Sequence, residues 1–192
     1  EIVADLLRSR VGQVFQLSRP RVDRRETIAA DGCGEAEVRA TIAGVEHHAF
    51  CRVEVARLSE AQAPGIVEIG VGDSAAVAAA AQDLRQQVAN GCRVGPMGGL
   101  RVRIVRVAPD GPAAVEALLQ QAATKAMMLA IEQAGLVLLE PWVTLELWCP
   151  EESSAAVLAD LGGRTAVILG VSSGRLGARI RGRAPLARML GY

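Results

Sequence analysis

Two prolines bracket the stretch that most limits what this chain can fold into. Between Pro141 and Pro150, residues 142–148 alternate: Val143, Leu145 and Leu147 share one parity, Thr144 and Glu146 the other. That is the period of a half-buried strand. Pro150-Glu151-Glu152 then opens a helical pattern over residues 151–161, with both acids in the first turn, where the helix dipole favours negative charge. A strand over 165–171, a turn at Ser172-Ser173-Gly174, a strand over 178–183 and a helix start over 186–190 complete the series. The order β-α-β-β-α is that of a ferredoxin-like sandwich without its last strand. It implies a chain that is truncated at its end or disordered there. Pro141 disfavours helix at Glu140, so the long helix upstream has to stop before it.

That upstream region alternates between the two periodicities. Residues 2–7 read as the tail of a helix, in a chain that opens on Glu1 without an initiator methionine, as an excised fragment would. Residues 13–17 read as a strand ending at Arg19-Pro20. A loop over 29–35 carries the turn formers Gly32 and Gly34. Residues 38–43 alternate, as do 50–57, where Cys51, Val53 and Val55 oppose Arg52 and Glu54. After a short strand at 66–69, Gly70-Val71-Gly72-Asp73-Ser74 turns into a helix capped by Asp73 or Ser74, running to Asn90 with Gly91 as its left-handed stop. Residues 100–107 form a strand, and Pro109-Asp110-Gly111-Pro112 leads into a second long helix. Its expected apolar stripe is Val115, Leu118, Leu119, Ala122, Ala126 and Leu129, and Gly135 ends it. The fold class is α/β (α+β) in two domains.

Apolar residues make up 51% of the chain, ample for a core, and no run is long enough to span a membrane. Formal net charge is zero, yet residues 161–192 hold no acid and six arginines: Arg164, Arg175, Arg179, Arg181, Arg183 and Arg188. Such a basic stretch suits phosphate; it also suits a solvated face. Arg179, Arg181 and Arg183 share strand parity and should form one outward row. The loops at 70–74 and 109–113 each leave a strand and open a helix, so they should lie at one end of the domain. Their free helix N-terminal N–H groups suit RNA phosphate, although the carboxylates of Asp73 and Asp110 oppose it.

Several chemistries find no support. There is no G-x-x-x-x-G-K-[ST] phosphate loop, and the single lysine, Lys125, lies mid-helix. Gly70 and Gly72 read as a tight turn before a capped helix rather than a nucleotide site. Cys33, Cys51, Cys92 and Cys149 make no C-x-x-C pair and read as cytosolic thiols. His47 and His48 are adjacent on a strand and so point to opposite faces, which argues against a metal cluster with Cys51. Trp142 and Trp148 share parity and read as domain-packing residues before stacking platforms.

The ordered set of Arg19-Pro20, Arg25-Glu26-Thr27-Ile28, Leu139-Glu140-Pro141, Pro150-Glu151-Glu152 and Pro185-Leu186-Ala187 with Met189 and Gly191-Tyr192 resembles the C-terminal region of elongation factor G-like translational GTPases. The resemblance covers nearly the whole chain: residues 1–18 as the tail of the third domain, 19–138 as the fourth, arm-like domain, and 139–192 as an incomplete fifth, ferredoxin-like domain. It implies a non-enzymatic, cytoplasmic, ribosome-binding fragment whose partners are ribosomal RNA and proteins, with neither DNA nor membrane. GTP and magnesium would be held in an N-terminal domain outside this chain. The expected ribosome contacts are Val71, Gly72, Asp73, Asp110, Gly111 and Pro112 at the arm's tip and Arg179, Arg181 and Arg183 beyond it. Departures point to a divergent paralogue. The family's Gly-Gly-x-Gly-Gln is replaced by Ala43-Gly44-Val45-Glu46-His47-His48, the tip loop Asp110-Gly111-Pro112-Ala113 has no histidine, and Leu-Asn-Arg-Arg-Arg-Gly becomes Leu161-Gly162-Gly163-Arg164-Thr165-Ala166. The alternatives are a tetracycline ribosomal protection protein and an unrelated α/β RNA-binding module or enzyme.

Overall fold

The computed structural model describes residues 22–60, 63–72, 74–108, 116–174 and 177–192. The readings at 2–7 and 13–17 fall outside them, as do Asp73, Asp110, Gly111, Pro112 and Val115. Residues 23–140 form one compact unit, and residues 141–192 belong to another.

The first unit is built on a four-stranded sheet in the order β2-β3-β5-β4. β2 (Gly32–Ile42), β3 (Val45–Arg57) and β5 (Leu100–Ala108) are antiparallel neighbours, and β4 (Ile66–Ile69) runs parallel to β5. A parallel pair needs a crossover, here α1 (Ala75–Asn90). α2 (Glu116–Ala134) follows β5, and both helices pack on the face formed by Cys51, Val53, Val55, Leu100, Val102 and Ile104, all fully buried. A separate two-stranded ribbon joins β1 (Arg25–Ile28) to β6 (Leu136–Leu139), Arg25 opposite Leu139 and Ile28 opposite Leu136.

The fold departs from the sequence expectation at three places. Gly32 and Gly34 are not in a loop but inside β2, because α2 lies directly on that strand. A Cβ at Gly32 would sit 2.5 Å from the Ala130 carbonyl oxygen, and one at Gly34 2.6 Å from the Ala130 nitrogen. The helix answers with small residues: Ala122, Ala123, Ala126, Ala130 and Ala134 are all buried. The apolar stripe therefore runs through these alanines with Met127 and Ile131, while Leu129 is 47% exposed. Its size suggested core, but the phase of the helix turns it outward. Gly91 does end α1 at positive φ (79°), but with ψ of 177° it is extended rather than left-handed helical, a region nearly reserved for glycine.

The second unit is a three-stranded antiparallel sheet in the order β7-β9-β8, from β7 (Trp142–Cys149), β8 (Val167–Gly174) and β9 (Gly177–Pro185). A 3₁₀ turn (Glu151–Ser153) leads into α3 (Ser154–Gly163), and α4 (Leu186–Met189) follows β9. The order β-α-β-β-α matches the reading, with one change. Ser172 and Ser173 are not a turn but paired strand residues, opposite Arg179 and Ala178. Serines at a Gly-flanked site look like turn formers, yet the ladder continues through them to Gly174 opposite Gly177.

Candidate functional site

Parallel pairing decides where the first candidate loop lies. Ile69 pairs with Ile104, and the Gly70 N–H donates to the Ile104 carbonyl at 2.8 Å. β4 stops there while β5 continues in the same direction to Ala108. Both strands therefore point toward the same end of the sheet. A Cβ on Gly70 would meet the Arg103 guanidinium at 2.7 Å, so the bare backbone lets that arginine cross the loop. Val71 is half-buried against the core and Gly72 is exposed. Of the two capping candidates, Ser74 performs the role: its hydroxyl accepts from the Val77 N–H at 3.3 Å.

On β9, Arg179, Arg181 and Arg183 alternate with buried Ala178, Ile180, Gly182 and Ala184. The three arginines thus share the outward face of the central strand. They are not equivalent. Arg179 pairs with Glu146 at 2.7 Å and lies 5.3 Å from the centroid of the Trp148 ring. Its hydrogen bond and charge hold the Glu146 carboxyl below the usual range, and Glu146 in turn raises the guanidinium. Arg181 and Arg183 are exposed opposite Glu146 and Thr144. Trp142 and Trp148 flank this row from β7, 51% and 59% exposed. The face combines two solvated cations with two indoles, a pairing that can hold phosphate and stack on planar groups.

Glu26, part of the Arg25-Glu26-Thr27-Ile28 motif, is fully buried. Its carboxylate accepts from three successive backbone N–H groups, Cys92 at 2.6 Å, Arg93 at 2.7 Å and Val94 at 2.5 Å. β1 is a ribbon strand whose outer edge meets the loop after α1: the Glu26 N–H donates to the Pro96 carbonyl at 3.0 Å, and Gly98 N–H to the Glu26 carbonyl at 2.8 Å. A glutamate inside an Arg-Glu-Thr-Ile strand carried no periodicity signal for this. His47 and His48 stand on successive positions of β3, opposite Ala40 and Arg39. No helix among the described residues is long and apolar enough to cross a membrane.

Comparison with known proteins fits this architecture. Residues 137–192 match the family model described as elongation factor G C-terminus. The whole chain aligns with elongation factor G 1 of Geobacter sulfurreducens at 31% identity, covering 29% of that protein. It aligns with elongation factor G 2 of Syntrophomonas wolfei at 28% and with elongation factor G of Aquifex pyrophilus at 25%, covering 28% of each. A crystal structure of a Thermus thermophilus protein superposes with a TM-score of 0.69 and 25% identity, over 92% of this chain and 27% of that one. The chain spans less than a third of the length of the relatives it matches. Their names favour the elongation factor reading over tetracycline protection. Along its whole length in sequence, and in its mixed α+β fold, the chain is similar to the C-terminal region of elongation factor G proteins.

Proposed function

We propose that this chain is the ribosome-binding C-terminal part of a cytoplasmic elongation factor G-like translation factor. Its arm domain reaches the decoding region, while GTP hydrolysis, with magnesium, belongs to a domain outside these 192 residues. The observation that carries the reading is the end-to-end alignment with elongation factor G proteins. Two features support it. The parallel pairing of β4 with β5 supports a tip at which Val71, Gly72 and Asp73 from one loop and Asp110, Gly111 and Pro112 from the other would meet the ribosome. The row Arg179, Arg181 and Arg183 offers cations for RNA phosphate, Arg181 and Arg183 more freely than the ion-paired Arg179.

Sedimentation of the chain with ribosomes over a salt series tests this. Binding should weaken steeply with salt, and the Arg181→Gln/Arg183→Gln double variant should flatten the log–log slope by roughly 0.7–0.9 per lost phosphate contact. Salt-independent association, or none, would overturn the reading. Replacing residues 110–113 with two glycines in the parent factor should leave it folded and impair it on ribosomes; full activity would remove the tip from the mechanism.

A further inference from the structure

Three sulfurs from two segments meet in the first unit. The Cys92 Sγ, on the loop after α1, lies 3.9 Å from the Met97 Sδ and 3.9 Å from the Met128 Sδ on α2. We propose that Cys92, Met97 and Met128 form a three-sulfur binding site for a soft monovalent cation of the Cu(I) class.

The spacing is the first argument. Sulfur bonds of about 2.3 Å in a trigonal plane put the ligand atoms about 4 Å apart, so both contacts to the thiol already stand at the distance a bound cation would set. Ligand chemistry is the second. Thiolate and thioether donors select Cu(I) over harder ions, and no three histidine, cysteine or carboxylate side chains gather for a harder metal among the described residues. The third argument is the support beneath the thiol. Glu26 fixes the backbone of residues 92–94 through three N–H bonds, so Cys92 is held in place without its side chain being tied. That buried carboxylate also adds negative charge beside the sulfur. Access is through α2: Met128 is 47% exposed, whereas Met97 is 3% exposed and forms the floor.

Binding breaks the Cys92 S–H bond and forms a sulfur–metal bond, the proton leaving to solvent. No electron is transferred, and affinity should rise about tenfold per pH unit while the free thiol is protonated. The alternative is an ordinary sulfur-rich filler in a core, and titration separates the two.

The full chain carrying Cys33→Ser and Cys149→Ser, which removes the other accessible thiols while Cys51 stays buried, is titrated anaerobically with Cu(I) against a chromophoric Cu(I) chelator. One equivalent should be retained. Retention should be lost in Cys92→Ser and weakened at least tenfold in Met128→Leu, with circular dichroism unchanged for the exposed Met128 variant. X-ray absorption should give three sulfurs at about 2.3 Å, and excess Zn(II) should not displace the ion. No retention by the parent, equal retention by Cys92→Ser, or unchanged affinity in both Met97→Leu and Met128→Leu would overturn the proposal.

Discussion

At the scale of single residues, the two ionisable side chains buried most deeply in the first unit do opposite things. Glu26 is an acceptor surrounded by donors. Truncation to alanine leaves three N–H groups of residues 92–94 without their partner. With each unmet donor costing about 1–3 kcal/mol, Glu26→Ala should lower stability by at least about 3 kcal/mol in urea unfolding. A loss below about 0.5 kcal/mol would mean that water replaces the carboxylate. Cys51 has no such partners, and burial pushes its thiol up to about 12. A group raised in the fold keeps its proton there, so its contribution to stability is complete below the unfolded thiol value of about 8.5. It declines as pH climbs from there toward 12, because the unfolded chain ionises first. Between about pH 9 and 11 the parent should lose stability more steeply than Cys51→Ala, by about 1 kcal/mol per pH unit. Parallel curves for the two proteins would show that the thiol is hydrated.

At the scale of elements, α2 packs directly on β2, and the chemistry of that contact is subtraction. Gly32 and Gly34 on the strand face Ala126, Ala130 and Ala134 on the helix. Helix backbone meets strand backbone without side chains between. Gly34→Ala would insert a methyl into the Ala126 carbonyl and the Ala130 amide, where neither side is a flexible side-chain end. Overpacking of this kind costs typically about 1–3 kcal/mol, and backbone-on-backbone contact puts the variant near the top of that range by urea midpoint. The neighbouring substitution Cys33→Ala, on the opposite, exposed face of β2, should change little and serves as the control.

At the scale of the whole molecule, the chain divides between Glu140 and Pro141, and β6 lies immediately before the division. Leu136–Leu139 closes the first unit by pairing with β1, which carries Glu26. A fragment of residues 22–140 should therefore unfold in one cooperative transition. Ending the fragment at Ala134 removes the partner of β1 and should shift the transition to distinctly lower urea. Identical midpoints for the two fragments would show the ribbon to be dispensable.

The sequence alone determined the elements whose signal is local. The 66–69 strand, the serine-capped α1, the alternation of β3 and β5 and the prolines framing β7 are written in period, cap and φ restriction, each read within a few residues. The ordered motifs likewise pointed to the family, since the alignment runs the length of the chain. Tertiary structure decided what depends on a partner far away in sequence. Gly32 and Gly34 look like turn residues until α2, far downstream in the chain, needs the space. Leu136–Leu139 has no alternation to announce a strand, because it is a ribbon edge defined by β1. Glu26 becomes a buried acceptor only once the β1 ribbon and the loop after α1 lie side by side, and Cys92 meets Met128 only once that loop packs against α2. The parity of Arg179, Arg181 and Arg183 was legible in the strand, but Glu146 singles out Arg179 from across the sheet, and cross-strand register is a property of the fold.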